Sequence, residues 1–228
     1  MRIASFRRII AEKMSNRYSE ARAKEIGPDL AALEWLMNCG ATQVEMADGT
    51  LIGSQREMRK YVQMAMDPSS SSPPQALGHG DIAFAEQWPN APKGVHILRV
   101  DASDSAIANE GFKYLKDVRR VEKLKLNFCD YFGDEALREL ALGRPATTLQ
   151  DVEIVLNPCL SDGALFWLAK MKSLRRAHFY FLPYVTNRTG FIRSLKLALP
   201  RCIVTFPEVS TVGFGYEDAE KEKKQGKR

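Results

Sequence analysis

Residues 121–140, VEKLKLNFCDYFGDEALREL, and residues 149–168, LQDVEIVLNPCLSDGALFWL, carry one pattern twice. Val121, Leu124, Leu126, Cys129, Phe132, Asp134, Leu137 and Leu140 recur 28 residues later, without a gap, as Leu149, Val152, Ile154, Asn157, Leu160, Asp162, Leu165 and Leu168. The first apolar positions alternate and the last fall at helical spacing, so each copy predicts one strand followed by one helix. The ninth place, Cys129 or Asn157, directs a polar group at backbone amides that the end of the strand leaves without partners. Asp134 and Asp162 stand where a carboxylate could cap the helix that follows.

LxxLxLxxC/N followed by xxLxDxxLxxL is the leucine-rich-repeat pattern in its Cys-type form. Two looser units flank the pair. Leu98, Val100 and Ser103 fit a first strand and turn, with Phe112 and Leu115 on its helix. Leu174, Ala177, Phe179, Leu182 and Val185 fit a last unit, and Cys202 to Phe206 a closing strand. Terminal units are expected to be atypical because they cap the stack. The expected fold is therefore α/β, a solenoid of about four strand–helix units over residues 95–206.

A small helical domain, residues 17–66, precedes the repeats. Pro28 and Asp29 suit a first helical turn, Leu30, Leu33, Leu36 and Met37 form an apolar stripe, and Gly40 is a natural stop. Val44 to Ile52 predicts a hairpin turning at Asp48-Gly49, and residues 55–66 predict a further helix. Residues 67–94 open on a Pro/Ser-rich run that includes His79 nearby and read as a linker or long loop. Residues 207–228 read as an irregular end and a disordered charged tail.

The chain has 228 residues, 45% of them hydrophobic and 27% charged, as in an ordinary globular protein. No apolar run reaches the roughly 18–20 residues that a membrane span requires. The four cysteines, at 39, 129, 159 and 202, form no CxxC pair, which excludes a zinc ribbon and leaves reduced thiols. The net charge of +5 resides in residues 1–24, and the remainder is balanced. That balance argues against nucleic acid as a partner. The segment 1–16 is amphipathic, rich in arginine and poor in acids, as mitochondrial targeting segments are, although an exposed basic helix fits the same pattern. No phosphate loop, nucleophile elbow or dinucleotide fingerprint is present, and His79, His96 and His178 lack metal-ligand spacing.

Asp101, Ser103, Asp104 and Ser105 gather two carboxylates and two hydroxyls in one turn. Such oxygens suit a hard cation; the simpler reading of the spacing is an Asx or ST turn closing the first strand.

IGPDLAALEWLMNCGA (26–41) and VDASDSAI (100–107) resemble motifs of the mitochondrial ATP synthase coupling factor B family, also called subunit s. GFKYLKDVRRVEKLKLNFCDYFGDEAL (111–137) and the stretch from LPYVTN to ALPRC (182–202) continue the likeness, which spans residues 17–205. The resemblance implies a non-catalytic factor at the matrix side of the mitochondrial inner membrane, peripheral to it and associated with the ATP synthase. It also implies a magnesium ion between the N-terminal domain and the first repeat, with ligands at Gly40 and Ser103. The family places a pair of cysteines in its second repeat; here Asn127-Phe128-Cys129 keeps one of them, and the second thiol of that pair is absent. Two alternatives share the architecture. One is the sister family of assembly factors for the distal membrane arm of respiratory complex I. The other is a repeat adaptor of ubiquitin ligases, against which residues 1–60 carry no F-box pattern.

Strand residues between the buried leucines face outward in such repeats. The register assigns Arg99 and Asp101 to the first unit, and Lys123, Lys125 and Asn127 to the second. Asp151, Glu153 and Val155 come from the third, and Arg176, His178 and Tyr180 from the fourth. The face is banded in charge, and the expected partner, the ATP synthase or a complex I assembly intermediate, would dock there.

Overall fold

Alternation along five parallel strands sets the layering. In β4 (Lys123–Lys125), β5 (Asp151–Val155), β6 (Arg176–Tyr180) and β7 (Ile203–Thr205), every second side chain enters the core, while in β3 (Ile97–Asp101) both Ile97 and Val100 are buried, with Leu98 only half-buried. Val100, Leu124, Val152, Ile154, Ala177, Phe179 and Val204 are buried on that side. The computed structural model describes residues 14–67 and 82–207. The expected targeting segment up to residue 13, the Pro/Ser run with His79, and the tail from 208 lie outside them.

The protein is α/β, with a seven-strand sheet in the order β2-β1-β3-β4-β5-β6-β7. Strands β3 to β7 are parallel, while β1 (Gln43–Met46) runs antiparallel to both β2 (Leu51–Ile52) and β3. The 28-residue spacing is the pairing register: Lys123 faces Asp151 and Leu124 faces Val152. Nine α-helices lie among the described residues. They are α1 (Glu20–Ile26), α2 (Pro28–Asn38), α3 (Gln55–Met66), α4 (Ile82–Gln87), α5 (Lys113–Lys116), α6 (Asp134–Leu142), α7 (Pro145–Thr148), α8 (Ala164–Leu168) and α9 (Arg188–Ala198). A 3-10 turn, Asn109–Phe112, precedes α5.

The N-terminal helices and the repeated units share one core. Leu30, Leu33 and Leu36 of α2 belong to the same buried cluster as Leu124, Leu137 and Phe179. The hairpin turns at Asp48-Gly49, with Gly49 at φ +83°, and its β1 strand completes the sheet beside β3. Gly40, at φ +85°, ends the helical region, a conformation that costs glycine little. The stretch 67–94, expected as linker or loop, is helical in part: Phe84 and Trp88 are buried, which anchors α4 and the turn after it.

The turns after the strands are closed by side chains of neighbouring units. Asn157 is fully buried; its Nδ2 donates to the carbonyls of Cys129 (2.8 Å) and Phe132 (3.1 Å), and its Oδ1 accepts from the amides of Cys159 and Leu160 (both 2.8 Å). The Cys129 thiol donates to the Ala102 carbonyl at 3.1 Å. The two aspartates do not cap their own helices, contrary to expectation. Asp134 opens α6 behind Gly133, and its carboxylate accepts from the Ser161 amide (3.0 Å) and hydroxyl (2.5 Å) of the next unit. Asp162 likewise accepts from Thr186 and from the Asn187 amide. The competing donors are amides and hydroxyls of the following turn, half-buried at Ser161 and exposed at Thr186 and Asn187, so each carboxylate ties one unit to the next.

Asp29 also serves another element. It is buried in the first turn of α2, and Oδ1 accepts from the amides of Ile97 (3.1 Å) and Arg119 (3.2 Å), Oδ2 from Arg119 (3.1 Å). One carboxylate thus pins the N-terminal helix to β3 and to the approach to β4. Burial pushes its carboxyl up to about 6, against the two amide bonds and the charges of Arg119 and Arg144. The folded carboxyl therefore holds its proton more tightly than an unfolded one, near 3.8. Its stabilising contribution is complete below that lower value and is lost as pH rises through about 6. Relative to Asp29→Asn, the wild-type protein should lose stability between about pH 4 and pH 7, on the order of 2–3 kcal/mol, in urea unfolding. Parallel pH profiles of the two proteins would contradict this role.

Candidate interaction face

The strands position the outward residues in straight rows. Arg99, Lys123, Asp151 and Arg176 are successive partners in one row; Asp101, Lys125, Glu153 and His178 form the next. Strand β1 extends the first row with Glu45, opposite Arg99, and β7 extends the second with Thr205. The charged residues expected on this face, with His178 and Tyr180, are on it, Tyr180 lying beside Val155 at the end of β6, whereas Asn127, expected to face outward with them, is buried.

Charges on the face are answered within it. Arg99 pairs with Glu45 at 2.9 Å, and Lys123 with Asp151 at 3.4 Å. Lys125 lies between Asp101 (3.6 Å) and Glu153 (3.9 Å), and Arg176 pairs with Asp151. Asn127 is buried between strands, its Nδ2 donating to Glu153 at 2.6 Å and its Oδ1 accepting from the Val155 amide. His178 Nδ1 is 2.7 Å from the Thr205 hydroxyl. A shallow hollow of about 230 Å³ runs from Lys123 and Asp151 to His178 and Thr205. Four cations and four carboxylates are thus interleaved, and the face presents little net field.

A second feature was not legible from the pattern. The residue ending each strand turn has a left-handed backbone: Asp104 (φ +56°), Phe128 (+59°), Leu156 (+55°) and Phe181 (+50°). These four are equivalent in register. The amides of Asp104, Phe128 and Leu156 donate to Asn127, Val155 and Tyr180 of the next strand, each at 2.8 Å. Phe128, Leu156 and Phe181 are exposed, as is Tyr184 nearby in sequence. Simple alternation would send Phe128 inward after Leu126 and Asn127. The left-handed twist turns it out instead, so an apolar row crosses the rim where the strands end.

The expected magnesium ligands belong to two segments that meet. The Thr42 hydroxyl, two residues after Gly40, donates to the Ser103 carbonyl at 3.1 Å, and the Ala106 amide donates to the Cys39 carbonyl. The Ser103 hydroxyl donates to Asp101 Oδ1 at 2.5 Å, which leaves its lone pairs as the free part of the group. Asp101 Oδ1 also accepts the Ser103 amide, and Lys125 stands 3.6 Å from Oδ2. The donors therefore fit magnesium in kind, as hard neutral oxygens with a supporting carboxylate, in a site that would rely on water for much of its shell. Among the described residues no three His, Cys, Asp or Glu side chains cluster to hold a metal. Cys39, Cys129 and Cys202 are buried free thiols, and Cys159 is an exposed one. Burial raises the Cys129 thiol above its usual range, away from thiolate chemistry. His96 is buried just before β3, and burial lowers its pKa.

An α/β protein of repeated strand–helix units, with an ion-paired sheet face and an apolar row at its rim, is built to present surfaces. No family model matches the chain. It is 26% identical over 190 residues to the proteins named ATP synthase subunit s, mitochondrial, of Homo sapiens and Pongo abelii, an alignment covering 81% of this chain and 78% of each of theirs. The Bos taurus protein of the same name matches with the same identity and coverage. The chain is a homologue of these proteins, consistent with the coupling factor B family.

The exposed ion pairs and the buried turn amide should differ sharply in worth. Lys123→Ala or Arg176→Ala should cost no more than about 1 kcal/mol, since exposed pairs contribute little. Asn157→Ala strands two carbonyls and two amides in the core and should cost upwards of about 3 kcal/mol. Equal losses of melting temperature would show that the turns are not held as described.

Proposed function

We propose that this protein is a non-catalytic factor associated with the mitochondrial ATP synthase, peripheral to the inner membrane on its matrix side. The observation that carries the reading is the likeness to the subunit s proteins across 81% of the chain. No helix among the described residues is long and apolar enough to cross a membrane, in keeping with a peripheral position. The strand–helix units are, on this reading, Cys-type leucine-rich repeats; the 28-residue register and the Cys129 and Asn157 turns support it.

The partner meets the face of Arg99, Lys123, Lys125, Asp151, Glu153, Arg176, His178 and Tyr180. Because its charges are already paired, a partner gains little by replacing them, and contact energy concentrates in Tyr180 and the exposed row Phe128, Leu156 and Phe181. Tagged protein expressed in its own cells should co-purify ATP synthase from detergent-solubilised mitochondria. Phe128→Gly with Phe181→Gly keeps the backbone comfortable and removes the two aromatic side chains of the row. This variant should lose most of the ATP synthase while melting no lower than the wild type, since glycine adopts the left-handed backbone freely. Recovery of complex I intermediates instead, or full retention by the variant, would overturn this reading.

We further propose that magnesium binds at the Gly40 corner, against the Ser103 hydroxyl, and ties the N-terminal helices to the first strand turn. The convergence of those two segments supports it. Millimolar magnesium should raise the melting temperature of the wild-type protein and leave Ser103→Ala unmoved. The absence of a magnesium-dependent shift, or an equal shift in both, would remove the ion from this site.

A further inference from the structure

The electrical balance of the chain beyond its N-terminal segment is an average over two regions of opposite sign. Residues 25–162 hold thirteen basic against twenty-one acidic side chains. Residues 163–207 hold eight basic side chains and no Asp or Glu at all. Those forty-five residues are the last two strand–helix units.

Topology gathers their cations on one rim. Helices return antiparallel to the strands, so helix C-termini and strand N-termini share an end. Lys170 and Lys172 follow α8, Lys196 lies in the last turn of α9, and Arg175 and Arg201 lead into β6 and β7. The Lys172 ammonium donates to the carbonyls of Ala169 (2.8 Å) and Ala198 (3.3 Å), which joins the ends of the two units. Lys170, Lys172, Arg175, Lys196 and Arg201 are exposed, and none has a carboxylate partner among the described residues.

Apolar side chains stand among these cations. Leu197 is 73% exposed and Phe166 58%. The Lys170 ammonium sits 4.6 Å above the Phe166 ring and 5.6 Å from that of Trp167, an aromatic pair in edge contact. Between Ile192, Arg193, Lys196 and Leu197 lies an open groove of about 410 Å³.

We propose that this rim docks on an anionic lipid surface. Lysine and arginine heads meet headgroup phosphates, while Leu197 and Phe166 enter the boundary of the acyl region. The mixture decides between polyanions. A nucleic-acid duplex would set Leu197 and Phe166 against phosphates and gain nothing from them, and a single strand could stack on Phe166 but not use Leu197, whereas a bilayer rewards both kinds of side chain. The inference concerns a different surface from the sheet face and holds whether or not the ATP synthase is the partner.

The test is co-sedimentation of the full-length protein with phosphatidylcholine vesicles, with and without phosphatidylglycerol. Binding should require phosphatidylglycerol and weaken as salt is raised. Each removed cation should cost about fivefold in affinity, so Lys196→Gln with Arg201→Gln should weaken binding about 25-fold. Leu197→Ser should weaken it several-fold with the charge unchanged. The N-terminal cations are present in every variant, so these differences belong to the last two units, and unchanged melting temperatures would show that the variants fold. Equal binding to neutral vesicles, or undiminished binding by the double variant, would overturn the proposal. So would double-stranded DNA displacing the protein from vesicles while Leu197→Ser binds as the wild type does, which would mark a general polyanion surface.

Discussion

Parallel strands that turn directly into helices leave amides and carbonyls pointing into a dry core, and everything else in this protein is arranged around satisfying them. Asn157 answers four such groups, and the Cys129 thiol answers one. Asp134 and Asp162 each reach into the turn of the following unit. Asn157 serves its own turn through Oδ1 and the preceding unit through Nδ2, and this bridging holds the register at 28 residues where the two complete copies meet. A slip by one residue would expose the apolar set and orphan the turns together.

The sequence pattern was most legible where local and tertiary demands agree. Leu124, Leu126, Val152 and Ile154 alternate, face inward and are fully buried. The helix at Pro28 and the hairpin at Asp48-Gly49 were likewise written in their turn residues. What was not legible depended on long-range partners. Asp29 and Asp134 sit where a capping residue belongs, but each serves an element far along the chain. Helix α4 exists because Phe84 and Trp88 find the core, a contact that the neighbouring Pro/Ser run conceals. Of the candidate surface, the rows of charged residues followed from alternation alone. Their mutual pairing did not, because it depends on which strands lie side by side.

The distribution of charge separates two kinds of surface. On the sheet face, cations and carboxylates alternate across strands and cancel within a few ångströms, so a partner there is selected by shape and apolar contact. On the rim of the last two units the cations have no such neighbours among the described residues, and their field extends about a Debye length, roughly 8–10 Å, into solvent. A molecule with one quiet face and one charged end can be oriented by the second before it is recognised by the first.

The left-handed residues at the strand turns have an energetic meaning of their own. Glycine adopts that backbone freely, whereas Phe128, Leu156 and Phe181 hold it at a cost on the order of 1 kcal/mol each, and their exposed side chains recover little of it by burial. The protein is thus less stable than it could be, by an amount localised on a single line across the sheet. Any surface that covered those three side chains would gain their burial as binding energy, while the backbone cost stays the same in both states, and the complex would melt above the free protein.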